Sequence, residues 1–133
     1  MENQYMVYQI TEGVGIRVEV FYRPEESNPY YSEYLFAYRI TIENLSEYPV
    51  QLTDRHWDIL DSNGIHRMVD GEGVVGLQPI LAPGELYRYV SAANLNSEMG
   101  KMYGYYKMTN LYNNKTFVVS IPEFQLVTPF KLN

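Results

Sequence analysis

Three glycines in the stretch "VDGEGVVG", Gly71, Gly73 and Gly76, stand at the spacing of G-x-G-x-x-G. In nucleotide-binding folds that spacing makes a tight turn against a pyrophosphate. The amides and dipole of the helix that follows hold the charge. Here the run before the glycines, "IHRMV", reads as a strand. The run after them, "LQPILAPGELYRYV", carries Pro79 and Pro83, which a helix interior does not tolerate. Its next periodic piece is again a strand, so the required helix is not expected. Glu72 adds a negative charge inside the loop, and no Gly-Lys-Ser/Thr follows to make a P-loop. Two readings stay open. The glycines permit tight, positive-φ backbone where the chain passes between sheets, or their amides form a nest that holds an anion without a helix. An anion site needs cations beside it, and Arg55, Arg67 and Arg88 are the candidates.

Metal binding would draw on His56, His66, Asp54, Asp58 and Asp61. Asn63-Gly64 is a strong two-residue hairpin signal. With that turn, Ile59 lies opposite Met68 and Asp61 opposite His66. His66 then shares a face with Trp57 and Ile59, while His56 points to the other face with Asp58. The two histidines would not hold one ion together unless a bulge reversed the register. A magnesium site is less demanding, since one or two carboxylates with water and phosphate suffice. Catalysis lacks a set of parts. Ser91 and Ser97 have no motif tying them to either histidine, and Glu25-Glu26 reads as solvated loop charge. The expectation is a protein that is not an enzyme. The tyrosines of "MYGYY" would place Tyr103 and Tyr105 on one sheet face and Met102 and Tyr106 on the other. The first face suits bases or a protein partner. Trp57, the only tryptophan, reads as an inter-sheet core residue.

The elements that must position these residues are strands. Apolar residues alternate with period two: Ile16, Val18 and Val20 in "GIRVEVFYR", and Phe36, Tyr38, Ile40 and Ile42 in "YLFAYRITIENL". Further strand candidates are "VQLTDRHWDILD", "IHRMV", "ELYRYVSA", "KMYGYYKMTNLY" and "TFVVSIPEFQLV", the last interrupted or edged by Pro122. Turns fall at "SEYP", Asn63-Gly64, "LAPGE" and Asn113-Asn114, and "RPEESNPYYS" over 24–33 is a polar loop of no evident role. About seven short strands at this spacing predict an all-β, antiparallel β-sandwich of immunoglobulin or fibronectin type III kind, with a barrel as second choice.

The 133 residues suffice for one domain, taken as 1–133. The net charge of −6 argues against general nucleic-acid binding. The lack of cysteine excludes thiolate chemistry and disulfides. No signal peptide or membrane-spanning run is expected, and the reading is a cytoplasmic protein.

The segment "GEGVVGLQPILAPGELYRYVSAANL" at 71–95 closely resembles the signature of the bacterial ApaG family. Arg55-His56-Trp57 with Ile59, Asp61 and Gly64 fits it as well. So do Gly100, Met102, Gly104, Tyr106 and Met108, and Phe117 with "VSIPEFQL". The resemblance covers roughly residues 10–130. It implies a fibronectin-type sandwich in a cytoplasmic bacterial protein. It also implies a setting of cobalt resistance and magnesium handling, beside an operon partner that hydrolyses diadenosine tetraphosphate. Relatives in eukaryotes carry the domain within F-box proteins and a polymerase-interacting protein, where it looks like a protein-binding module. No reaction comes with the family. The functional expectation is thus a non-catalytic binding module with a protein partner, linked to divalent cation homeostasis. The alternative is a nucleotide or pyrophosphate binder with weak phosphohydrolase activity. In either case the binding residues would be Gly71, Gly73, Gly76, Arg55 and Arg67. No organic cofactor is implied, and the resemblance leaves room for a magnesium or cobalt ion and for self-association.

Overall fold

A computed structural model describes residues 5–132. Nine strands follow in order: β1 (Tyr5–Thr11), β2 (Val14–Tyr22), β3 (Tyr34–Asn44), β4 (Val50–Asp61), β5 (His66–Glu72), β6 (Ile80–Leu81), β7 (Leu86–Leu95), β8 (Met99–Asn110) and β9 (Thr116–Val127). All pairings are antiparallel. One sheet has the order β1-β2-β3-β7. The other has the order β5-β4-β8-β9, with β6 added beside the start of β4. The architecture is the expected all-β sandwich. Seven of its strands are the seven periodic runs of the sequence. The two further strands are β6, only two residues long, and β1, which is exposed along most of its length and has little alternation to reveal it. β1 is held by a full ladder to β2 through Glu12 and Gly13, both at positive φ, and by packing on β9.

The core is the inward half of each alternation. Ile16, Val18, Phe36, Ile40 and Ile42 from one sheet meet Trp57, Met102, Tyr106, Met108 and Phe124 from the other, all at most 3% exposed. Trp57 lies edge-on between Tyr38 and Phe124, at centroid distances of 5.4 and 5.7 Å. Pro122 sits where β9 loses register with β8, between the Met102–Phe124 and Gly104–Ile121 pairs. A residue that cannot donate is tolerated at such an irregularity. Pro83 and Gly84 form the expected turn: Glu85 N–H donates to Ala82 C=O at 3.0 Å, with Gly84 at φ +82°.

The β4–β5 register corrects the histidine expectation. The turn between them closes on Asp61 and Ile65 and so encloses three residues, Ser62, Asn63 and Gly64, not two. Gly64 N–H donates to Asp61 C=O at 3.0 Å, Asp61 N–H donates to Ile65 C=O at 2.9 Å, and Gly64 stands at φ +95°. This is a turn closed by a left-handed bulge residue. The extra residue pairs Leu60 with His66 and His56 with Asp70. A one-residue slip turns every side chain of a strand over. His66 therefore joins His56 and Asp58 on the outer face instead of joining Trp57 on the inner one.

Candidate binding site on the open side of the sandwich

Arg55 occupies the inner row of β4, two residues before Trp57, where the core thins toward the β5–β7 side. Its Nη1 donates to the carbonyls of Glu72 at 3.0 Å and Gly73 at 2.9 Å. This pairing depends on the first glycine. A Cβ on Gly71, the residue opposite Arg55 in the ladder, would lie 2.8 Å from the guanidinium. The second glycine has a different reason. Gly73 stands at φ +61°, its N–H donates to Thr53 C=O at 2.8 Å, and a Cβ there would come within 2.0 Å of the Leu77 carbonyl oxygen. The third serves a turn. Val74 and Leu77 exchange two hydrogen bonds at 2.8 and 3.0 Å around Val75 (φ +48°) and Gly76 (φ +77°), a two-residue hairpin of type I′ geometry. Gly76 faces open space, whereas Val75 is a β-branched residue in a left-handed conformation that such side chains avoid. Val75 is also 64% exposed at the tip.

The amides of Gly73 and Val74 are thus taken by protein carbonyls, and no helix follows the glycines. The structure brings Arg55, Gly71 and Gly73 together. It carries Arg67 along the same side of the sandwich, where its guanidinium donates to the carbonyl of Asn94 and ties β5 to β7. Arg88 lies on the outer face of β7's sheet, donating from Nε to Thr41 Oγ1 at 3.0 Å.

Between the glycine loop and β7 a cleft of about 230 Å³ opens, bordered by Tyr38, Arg55, Trp57, Val75, Tyr89 and Ser91. Its lining mixes the apolar Val74, Val75 and Val90 with the polar groups of Arg55, Ser91 and the two tyrosines. The Tyr38 hydroxyl is bonded to Ser91, and burial raises its pKa. The Tyr89 and Tyr106 hydroxyls meet at 2.5 Å. Burial holds both well above the ordinary tyrosine value, so they are neutral hydrogen-bonding groups. Arg55 is only half-buried and has no carboxylate within ion-pair distance among the described residues. Two carbonyls bonded at one nitrogen do not use up the five donors of a guanidinium, which leaves Arg55 with capacity for a further acceptor. Nothing in the sequence pattern announces Tyr38, Val75, Tyr89 and Ser91 as neighbours of Arg55, since they come from three separate elements. Only the odd placement of Val75, where Asn would be ordinary, is visible as a local signal.

On the outer face of the other sheet, His56 Nδ1 meets Asp70 Oδ1 at 2.6 Å, and its Nε2 meets Asp58 Oδ2 at 2.9 Å. His66 Nε2 takes the second Asp58 oxygen at 2.8 Å. Tyr105 stacks on His56 at 4.9 Å. A ring with a carboxylate at each nitrogen is an imidazolium donating twice. The hydrogen bond to Asp70, and then that to Asp58, raise the His56 pKa; the bond from His66 chiefly lowers that of Asp58. Both ring nitrogens of His56 are thus engaged by carboxylates. Among the described residues no three His, Asp or Glu side chains are placed to hold a metal. Ser97 bonds Asp61 and Ser91 bonds Tyr38, so neither hydroxyl is joined to a histidine. Among the described residues no helix is long and apolar enough to cross a membrane.

Fold and cleft define an immunoglobulin-like β-sandwich whose one open side is built around an arginine and a rigid glycine hairpin. The ApaG domain pattern matches residues 24–110. Protein ApaG of Escherichia coli O1:K1 is 45% identical over 116 residues, spanning 87% of this chain and 92% of that one; the Shigella boydii serotype 18 protein matches to the same extent. The crystal structure of the ApaA protein from Bordetella pertussis superposes with a TM-score of 0.85 at 39% identity, over 92% of this chain and 95% of that one. The chain belongs to the ApaG family.

Proposed function

We propose that this protein is a non-catalytic binding module that recognises a protein partner through the open side of the sandwich. The observation that carries the reading is Arg55: half-buried, without a carboxylate partner among the described residues, and facing a solvent-open cleft beneath a strained hairpin. Strained backbone persists where the surroundings over-determine it, and such sites cluster at ligand contacts. Gly71 and Gly73 hold Arg55 in place, Gly76 shapes the tip, and Arg67 frames the far end of the same side. The setting is divalent cation homeostasis, as the family resemblance implies, with the role exerted through a partner rather than through an ion held by His56 or His66.

A second reading shares the same arginine. A phosphate-bearing small molecule would use Arg55 and the tip amides of Val75 and Gly76. Thermal-shift titrations with diadenosine tetraphosphate, ATP, GTP and pyrophosphate, each with and without magnesium, separate the two. A saturable stabilisation, about 2.7 kcal/mol at a hundredfold excess over Kd, that disappears in Arg55→Gln favours the phosphate reading and refutes the protein one. No shift at millimolar ligand, with peptide binding abolished by Arg55→Gln, supports the protein-binding module.

A further inference from the structure

β7 is a free edge of unusual quality. Among the described residues it pairs with β3 alone, and its register runs without interruption from Glu43–Leu86 to Tyr34–Leu95. Edge strands are normally guarded by lysine, proline, a bulge or extreme shortness. β7 has ten residues and none of these devices, and its one charged side chain, Arg88, lies back on Thr41. The opposite edge of the same sheet, β1, is packed against β9.

The phase of the free groups follows from the ladder. Asn44 N–H donates to Glu85 C=O. Antiparallel strands alternate between bonded and unbonded pairs, so Tyr87, Tyr89, Ser91 and Ala93 turn their backbone groups to β3. Arg88, Val90, Ala92 and Asn94 turn theirs outward. The Arg67 bond to Asn94 C=O, made from outside the sheet, agrees with this phase. Leu86 and Val90 are 55% and 51% exposed, leaving apolar surface beside the open ladder.

We propose that an extended segment of a partner protein adds to β7 as a further strand of the β1-β2-β3-β7 sheet, and that an acidic side chain of that segment enters the cleft and pairs with Arg55. The inference rests on the protein-binding reading above and names its mode. Main-chain bonds to Arg88, Val90 and Ala92 supply affinity, and the cleft beside Ser91 and Tyr89 selects the side chain. Charge decides the occupant. A second copy of this chain pairing β7 to β7 would bring no carboxylate to Arg55, since "LYRYVSAANL" has neither Asp nor Glu. A partner carrying Asp or Glu in an extended, proline-free run provides the bidentate partner a guanidinium prefers.

The test uses a random 12-residue peptide library displayed on phage, followed by synthetic peptides of the enriched sequences. Affinity is read by fluorescence polarisation, and hydrogen exchange is followed on the full chain. Enriched peptides should carry an Asp or Glu whose replacement by Asn or Gln weakens binding about tenfold or more. On binding, the amides of Arg88, Val90 and Ala92 should gain protection, while those of Tyr89 and Ser91, already bonded to β3, should not change. Val90→Pro removes an outward N–H and fixes φ, which an edge strand accommodates, so it should keep the circular dichroism of the parent, at a modest cost in urea midpoint, and lose the peptide. Peptides that bind through Arg55 but leave Val90→Pro competent and the three amides unprotected overturn strand addition while leaving the binding module intact. Failure of every library member to bind overturns both. Protection of the same amides in the free protein, with sedimentation as a dimer, shows that a second copy owns the edge and refutes the inference.

Discussion

Gly73 and Gly76 look interchangeable in "GEGVVG", yet the structure assigns them different consequences. Alanine at Gly73 would put its Cβ 2.0 Å from the Leu77 carbonyl oxygen, about 1 Å inside the closest approach real Cβ atoms make. That oxygen accepts from Val74 N–H at 2.8 Å, and Gly73 itself donates to Thr53 at 2.8 Å. Relief requires giving up two or three hydrogen bonds at about 1 kcal/mol each. The left-handed conformation adds about 1 kcal/mol for a residue with a Cβ. Gly73→Ala should therefore lose about 3–4 kcal/mol. Gly76→Ala meets nothing within 4 Å and should lose only the conformational part, about 1 kcal/mol. With a urea m-value of about 2 kcal/mol/M, the midpoints should fall by about 1.5–2 M and about 0.5 M. Equilibrium urea unfolding followed by circular dichroism measures both. Equal losses, or a larger loss at Gly76, would show that Gly73 does not make the close approach described, and the account of the hairpin would fall with it.

Val75→Asn should raise stability by about 1 kcal/mol, since Asn-Gly suits the type I′ turn that Val75 adopts under strain; a drop in the urea midpoint would refute the strain. Tyr106→Phe should cost about 1–2 kcal/mol by stranding the buried Tyr89 hydroxyl. The Tyr89→Phe/Tyr106→Phe double variant should recover part of it, which a double-mutant cycle in urea would read directly. Stability should also depend on pH at two ends. His56 has a raised pKa, so its contribution is complete below the ordinary histidine value of 6.5 and is lost as pH rises through the folded value. Asp58 has a lowered pKa, so its contribution is complete above 3.8 and is lost as pH falls through its folded value. Urea midpoints should thus peak between about pH 4 and 6.5, and His56→Gln should flatten the alkaline limb; an unchanged alkaline limb in that variant would place the titrating group elsewhere.

Six of the seven strands legible in the sequence have one buried face, which imposes period two; β5 is nearly all exposed and was legible from its apolar residues behind the Asn63-Gly64 turn. β1 escaped because it is exposed on both faces and owes its place to the ladder with β2 and the contact with β9. The side of β4 that carries Trp57 was readable, and with it the inward course of Arg55. The partnership of His56, Asp58 and His66 was not. It depends on Gly64 acting as a bulge residue after the turn, and Asn63-Gly64 is compatible with either loop length. The cleft was out of reach for a different reason. Tyr38, Val75, Tyr89 and Ser91 converge on Arg55 only once the two sheets are packed, and no local pattern encodes that distance.

The position of Trp57 has an experimental consequence. It is the only tryptophan, 3% exposed, and it forms part of the wall of the Arg55 cleft. The chain has fourteen tyrosines that also absorb, and Tyr38 lies 5.4 Å from its ring. Excitation at the red edge of the absorption band would therefore isolate one indole as an intrinsic optical probe. A ligand entering the cleft would change its emission without a label, while global unfolding would shift the same band to that of a solvated indole. Recognition and unfolding would be recorded on one chromophore in one cuvette.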